Sequence, residues 1–554
     1  MKNKEALKWI IKNTKRYIPA VFLIAVLAAF VSVGYVALAY VARMVIDIAS
    51  GAVSGDIKVY IALLAFLILM QALLFIINSN IKIRVTGKLE IHLKKAMFIS
   101  LSGKEYSKIS KLHSGDILNR FTSDIDVVVS SLVGIIPNAV SLAARLVAAF
   151  LVLLQFDKGL TLVILALGIV VAIAARIYSV FFKNIHKKVQ ESLGETRSFM
   201  QECTENMVAV KSFNSAATLG EKLRALMGKT YKLKLKRNAI SNISSVAVYI
   251  LFTGGYYAAL CFGAFMIGNG LTFGELTAML AIISQIKGPI TGVSGLIPQY
   301  FSALASAERI MELESIPDEP KAKNKADIDE IYEKMKEIKF KNLSFAYSKN
   351  TREILENADM SIPKGEIVAL VGPSGEGKST IFRLLLGLWN DFSGEISIEG
   401  QENIPLTPAE RGLFAYVPQG NLILSGSVAE NIRFCRTDAT DEEVEEAAKC
   451  ADLYDFVKTL PEGFETHLGE RGQGFSEGQV QRISVARAVL SGAPILLLDE
   501  CTSALDEETE RKLLENIKAL GKTAIIISHK KAALDICDRI YRLDNGRLNE
   551  EKEG

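Results

Sequence analysis

Cysteine is sparse in this chain of 554 residues: Cys203, Cys261, Cys435, Cys450, Cys501 and Cys537. No two stand at redox or metal-ligand spacing, which argues against a disulfide scaffold or a cysteine-built metal centre. They read as reduced thiols facing a cytosol or a bilayer. Histidine is scarcer, with five in all, and His92, His113, His186 and His467 show no ligand spacing. An excess of one charge is also missing. The 64 Lys and Arg against 61 Asp and Glu leave a formal net charge of +3, so nothing global argues for a nucleic-acid partner. A cleavable signal is not expected. The basic stretch Met1–Tyr17 leads into an apolar run too long for a signal core, with no small-residue cleavage site behind it.

Hydrophobic residues are abundant, at 50% of the chain, and they crowd into its first 300 or so positions. A membrane-crossing helix needs about 20 mostly apolar residues. Six such runs occur, near 18–40, 60–80, 131–154, 160–182, 243–267 and 273–297. The sixth carries Gln285, Lys287 and Pro289 and is the least regular. Six buried core helices of a soluble protein would leave too little soluble surface. Charge between the runs sets orientation. Six Lys or Arg precede the first, nine lie between Ile81 and Val129, and twelve lie between Lys183 and Asn242. The three other connections, taken as Val45–Ile57, Gln155–Gly159 and Gly268–Thr272, hold one basic residue between them, Lys158. The positive-inside rule therefore puts the N-terminus and both long connections in the cytoplasm. Those connections read as helices continuing out of the membrane. Each is interrupted once, around His113-Ser114-Gly115-Asp116 and around Val208–Asn214. Arg145 falls near the middle of the third run, and Arg176 and Lys287 toward the cytoplasmic ends of theirs. Intramembrane charge is costly and commonly faces a cavity or a partner. Snorkelling accounts for Arg176 and Lys287. No acid inside a run is evident to neutralise Arg145, which is the candidate substrate-cavity residue and would favour an anionic or carbonyl-rich substrate.

A polar, proline-containing stretch at 313–336 reads as a linker, dividing a transmembrane domain at 1–312 from a second domain at 337–554. From Glu337 short apolar strands alternate with helices, an α/β pattern. The strand Glu366–Val371 runs into Gly372-Pro373-Ser374-Gly375-Glu376-Gly377-Lys378-Ser379-Thr380 and then a helix. This is a complete P-loop in its strand–loop–helix setting. Its backbone N–H groups cup phosphates, Lys378 reaches the β- and γ-phosphates, and Ser379 holds Mg²⁺. A second apolar strand, Ile495–Leu498, ends in Asp499-Glu500. There Asp499 can bind Mg²⁺ and Glu500 can polarise the attacking water.

The run Phe475-Ser476-Glu477-Gly478-Gln479, continuing to Ala488, resembles the signature motif of ATP-binding cassette (ABC) proteins, and it too precedes an Asp-Glu strand. That resemblance implies further roles. Tyr347 stacks on adenine, Gln419 is the Q-loop glutamine near the metal and the attacking water, Ser503–Asp506 is the D-loop, and His529 is the switch histidine that contacts the γ-phosphate. Ser476, Gly478 and Gln479 touch the nucleotide of a facing cassette. Glu477 stands where the family usually has glycine, which puts the strength of the site in question. Ser114–Arg120 and Val210–Phe213 are similar to the two coupling segments of exporter-type half-transporters. The implied fold is an all-α six-helix transmembrane bundle followed by an α/β P-loop NTPase. The implied function is transport driven by ATP hydrolysis, with Mg²⁺, by alternating access in a dimer of half-transporters in a bacterial cytoplasmic membrane. Export and a homodimer are the simpler expectations. An importer on the same fold, a heterodimer, and a soluble cassette ATPase acting on DNA or ribosomes are the alternatives.

Overall fold

Each apolar run lies within one long helix of a computed structural model. It describes residues 2–156, 158–267, 270–348, 352–420, 422–469, 472 and 474–551, without the side chains of residues 2, 160, 163–181, 183, 244, 248, 290, 291, 293 and 294. The chain divides into two compact units. One holds Met1–Phe98 and Gly115–Leu313, and the other holds Ile99–Ser114 and Glu314–Gly554.

The first unit is helical. Its elements are α1 (Lys2–Thr14), α2 (Ile18–Ala49) and most of α3 (Ile57–Ser102). The loop helix α4 (Tyr106–Ile109) belongs to the second unit, and the chain returns through α5 (Ser114–Asn119). Then come α6 (Ile125–Phe156), α7 (Lys158–Glu205), α8 (Met207–Ser212), α9 (Ala216–Met266) and α10 (Phe273–Glu314). Among the described residues, four stretches are long and apolar enough to cross a membrane: Asn3–Ala49, Ile57–Ser102, Ser114–Phe156 and Ala216–Met266. The expected spans at 160–182 and 273–297 lie in α7 and α10 and fall partly outside the described residues. At 1.5 Å per residue α9 is about 75 Å long, far beyond a hydrocarbon core of about 30 Å. The long helices therefore carry on past the bilayer, as the charged connections require. Lipid-facing residues such as Leu69 and Phe75 are exposed, while Val36, Ala149, Leu153 and Ile282 pack α2, α6 and α10 together.

Between α5 and α6 one π-helical turn, Arg120–Asp124, buries two charges. Asp124 accepts from Ser306 Oγ at 2.8 Å and Arg309 Nε at 2.8 Å, and Arg120 donates to the Arg309 carbonyl at 2.7 Å. The wider turn is thereby tied to the far end of α10.

The second unit begins inside the expected linker. α11 (Lys325–Lys334) forms there because Asn324 caps it, accepting from Asp327 N–H at 2.9 Å, and because Ile328 and Ile331 bury one face. Strands β1 (Met335–Phe345) and β2 (Leu355–Pro363) follow, then β3 (Ile367–Val371), α12 (Lys378–Leu385), β4 (Ser393–Gly400), β5 (Ile404–Pro405), β6 (Phe414–Val417) and β7 (Gly426–Ser427). Helices α13 (Val428–Ile432), α14 (Asp441–Cys450) and α15 (Tyr454–Thr459) lead to β8 (His467–Leu468) and α16 (Glu477–Leu490). The chain ends with β9 (Ile495–Asp499), α17 (Glu507–Ala519), β10 (Thr523–Ile527), α18 (Lys531–Leu534), β11 (Arg539–Asp544) and β12 (Arg547–Glu551). The main sheet runs β12-β11-β3-β10-β9-β6, and a smaller antiparallel sheet runs β2-β1-β4-β5. β3, β10 and β9 are parallel neighbours and fully buried, so their unbroken Ile, Leu and Val runs are what a two-sided core strand needs. This register puts the C-terminal ends of three strands side by side, at Val371, Asp499 and Ile527.

Candidate nucleotide site

β3 delivers the chain into the P-loop, where Gly372 has φ 143° and a Cβ would run into the Leu543 carbonyl. Only glycine fits there. Lys378 opens α12 and is buried. Its Nζ donates to the carbonyls of Gly372 at 2.6 Å and Pro373 at 2.8 Å, so the ammonium lies folded beneath its own loop. Burial holds its pKa below the usual lysine value, against an upward pull from Glu500, Asp499 and Glu376.

Beside it, β9 ends in two carboxylates in unlike settings. Asp499 is buried, and burial raises its pKa even though the Ser379 and Tyr416 hydroxyls pull it down. Tyr416 donates to its Oδ2 at 3.3 Å, while its Oδ1 is buried without a hydrogen-bond partner. A buried anionic oxygen left bare is a place for a cation or its water shell. Among the described residues no three His, Cys, Asp or Glu side chains gather into a metal cage. That suits Mg²⁺, which is held in phosphate sites by one or two protein ligands plus the phosphates. Ser379, Gln419 and Asp499 fit such an ion. Glu500 sits at φ 48°, an unusual backbone for glutamate, pinned by its N–H to the Ile527 carbonyl at 3.0 Å. Gln419 Nε2 donates to Glu500 Oε2 at 2.6 Å, so the two residues expected around the attacking water already meet. His529 is exposed just past the end of β10.

Ser476 and Gln479 close the N-terminus of α16 as a capping box. Ser476 Oγ accepts from Gln479 N–H at 3.3 Å, and the Gln479 side chain accepts from Ser476 N–H at 2.8 Å. Glu477 is exposed in the first turn. A Cβ on Gly478 would stand 2.8 Å from the Ala504 carbonyl, so the signature helix and Ser503–Asp506 touch backbone to backbone there. Two residues that the sequence did not single out hold this contact. Gln481 bonds Ser503 Oγ at 2.9 Å and Ala504 N–H at 3.3 Å. Lys530, next to His529, donates to the carbonyls of Thr502 at 2.7 Å and Leu505 at 3.1 Å and pairs with Glu510 at 3.2 Å. Tyr347 is half-buried, its hydroxyl 3.0 Å from Thr380 Oγ1 and 2.9 Å from Arg383 Nη1.

In the helical unit Arg145 lies over the Tyr35 ring at 4.8 Å and donates to Ser32 Oγ at 3.3 Å, while its Nε is buried without a hydrogen-bond partner. Among the described residues it has no ion pair. The expectation that the runs hold no acid needs correcting. Glu275, inside the sixth, pairs with Arg43 at 2.8 Å, and buried Asp47 accepts from Gly274 N–H at 2.9 Å. Both sit at helix ends, where a carboxylate is cheaper to hold. Arg176 lies outside the described side chains.

The family described as ABC transporter transmembrane region matches residues 21–290, and the family described as ABC transporter matches residues 355–503. The serine protease/ABC transporter B family protein tagA of Dictyostelium discoideum is 30% identical over 90% of the chain, which spans only 28% of that protein. An ATP-dependent lipid A-core flippase of Photorhabdus laumondii is 28% identical over 92% of this chain and 88% of its own length. A bacterial Atm1-family ABC exporter, solved with ATP bound, superposes with a TM-score of 0.76 over 97% of this chain and 95% of its own, at 24% identity, and so shares the fold.

Proposed function

Since this chain belongs to the ABC transporter family and its ATPase is coupled to transport, we propose that it exports its substrate by alternating access, as a dimer of half-transporters. The supporting observation is the meeting of P-loop, Asp499, Glu500 and Gln419 at the ends of β3 and β9, with a signature sequence on α16 that needs a facing cassette. One chain carries one P-loop and one signature, so a second chain completes each site. A homodimer suffices, since Glu500 and His529 are both present. Bare apolar side chains fit that reading: Val208 and Phe213 around α8, and Leu422, Leu424 and Phe434 on the cassette, are exposed in the single chain. The bilayer is that of a bacterial cytoplasm, with the N-terminus and cassette inside.

In turnover the P-loop backbone and Lys378 hold the phosphates, Ser476 and Gly478 of the facing cassette close over them, and Tyr347 stacks on the base. Mg²⁺ on Ser379, Gln419 and Asp499 would offset the phosphate charge. Glu500 exchanges Gln419 for the attacking water and takes its proton. His529 faces the γ-phosphate.

Arg145 marks the substrate cavity and selects anionic or carbonyl-rich compounds, lipids included. ATP-dependent uptake into inside-out vesicles across anionic, zwitterionic and cationic compounds tests this. Arg145→Gln should lower the ratio of anionic to cationic transport by about fivefold or more, the effect of one charge near 4 Å even in water. An unchanged ratio contradicts the assignment, and transport in right-side-out vesicles only would reverse the direction to import.

A further inference from the structure

The segment Ile99–Ser114 leaves α3 and joins the cassette's compact unit. Its entry is anchored: Lys104 Nζ donates to the Glu314 carbonyl at 2.7 Å and pairs with Asp318 at 2.6 Å, and Glu105 N–H donates to the Pro317 carbonyl at 3.0 Å. So held, Tyr106 meets Trp389 edge to face, with ring centres 5.2 Å apart at 78°. Trp389 meets Tyr347 in the same way, at 5.3 Å and 82°, and Tyr347 meets Phe345 at 5.0 Å and 79°. Arg383 braces the column, its guanidinium 5.6 Å from the Trp389 ring while it donates to the Tyr347 hydroxyl. Three rings thus run from the loop to the tyrosine beside the P-loop, with Phe345 packed on its far side. The phosphate chemistry uses none of Tyr106, Trp389 or Phe345.

We propose that Trp389 is a positioning residue that passes occupancy of the base site at Tyr347 to the loop Ile99–Ser114, so that the loop responds to the nucleobase and not to phosphates alone. This rests on the reading of Tyr347 as the base-stacking residue. Edge-to-face pairs are directional, each worth about two- to tenfold in an equilibrium beyond its buried area. A base that turns or clamps the Tyr347 ring must therefore move Trp389 with it or break that pair, and the same holds from Trp389 to Tyr106. A column that served only to fill space would tolerate either change without moving the loop.

The test uses the full chain in lipid nanodiscs. The chain has two tryptophans, so Trp9→Phe leaves Trp389 as the single emitter. Its emission and the rate of tryptic cleavage at Lys108 and Lys111 are followed with saturating AMP-PNP or inorganic tripolyphosphate, each with Mg²⁺. AMP-PNP should shift the emission and slow cleavage about two- to tenfold, while tripolyphosphate does neither. Trp389→Phe should keep the protection, and both Trp389→Ala and Tyr106→Ala should lose it; the exposed Tyr106 keeps the test alive if Trp389→Ala does not fold. Protection retained in Tyr106→Ala, or given equally by tripolyphosphate, overturns the proposal. Tyr347→Ala separates the two readings. If it weakens AMP-PNP binding while Trp389→Ala stays protected, base stacking stands and the relay falls. If it leaves AMP-PNP binding unchanged, both fall.

Discussion

Glu477 occupies the first turn of α16, where the unpaired N–H groups of a helix start favour an anion. In most cassettes of the family a glycine leaves that potential to the nucleotide; here a carboxylate takes part of it up. Glu477 is exposed, which should limit the repulsion, so the expectation is a site weakened and not abolished. Glu477→Gln removes the charge while keeping the side chain's length. It should lower the KM for ATP about two- to fivefold at low salt, an effect that fades as salt rises. An unchanged KM at low salt would mean the carboxylate does not face the phosphates. The P-loop and the Asp499-Glu500 pair were legible in sequence because phosphate binding demands a contiguous loop and a carboxylate at a strand end. Gln481, Lys530 and Trp389 were not. Each acts through a residue more than 20 positions away, on Ser503, Thr502 and Tyr347; Gln481 reads only as part of the signature run, and nothing in the local pattern marks Lys530 or Trp389.

At the scale of elements, the long helices and parallel strands were legible, since period and length are local properties. α11 was hidden by its charged surroundings, although Asn324 and Asp327 write its cap. The departure of Ile99–Ser114 from the helical unit was also hidden, because it depends on anchors at Glu314–Asp318. The π turn at Arg120–Asp124 illustrates how burial decides the cost of a deletion. Asp124 is almost fully buried, whereas the Arg309 side chain is 44% exposed. Removing Arg309 strands a buried carboxylate with only Ser306 for support, while removing Asp124 returns an arginine to water. Arg309→Ala should therefore destabilise by about 3 kcal/mol and Asp124→Ala by clearly less. Thermal unfolding of the two variants in the same detergent checks the order. Equal losses, or the reverse order, would show that Arg309 is not the charge that keeps Asp124 in place.

For the whole molecule, helices as long as α9, which outrun the bilayer, and a cassette carrying one P-loop and one signature make one engine, on the proposed reading, when two chains meet. Glu500 is where the two halves of that account converge. Its strained backbone aims the carboxylate and Gln419 holds it, and on the proposed dimer turnover also requires the signature helix of a facing chain. The most direct measurement is therefore the ATPase rate and particle mass of the purified chain, with no other subunit, beside Glu500→Gln in the same nanodiscs. The account predicts two chains per particle, steady turnover by the wild type, and a loss of about a hundredfold or more in the variant, the worth of a general base, with Mg-ATP still bound. Turnover by single chains, or a Glu500→Gln variant that hydrolyses ATP at the wild-type rate, would contradict it.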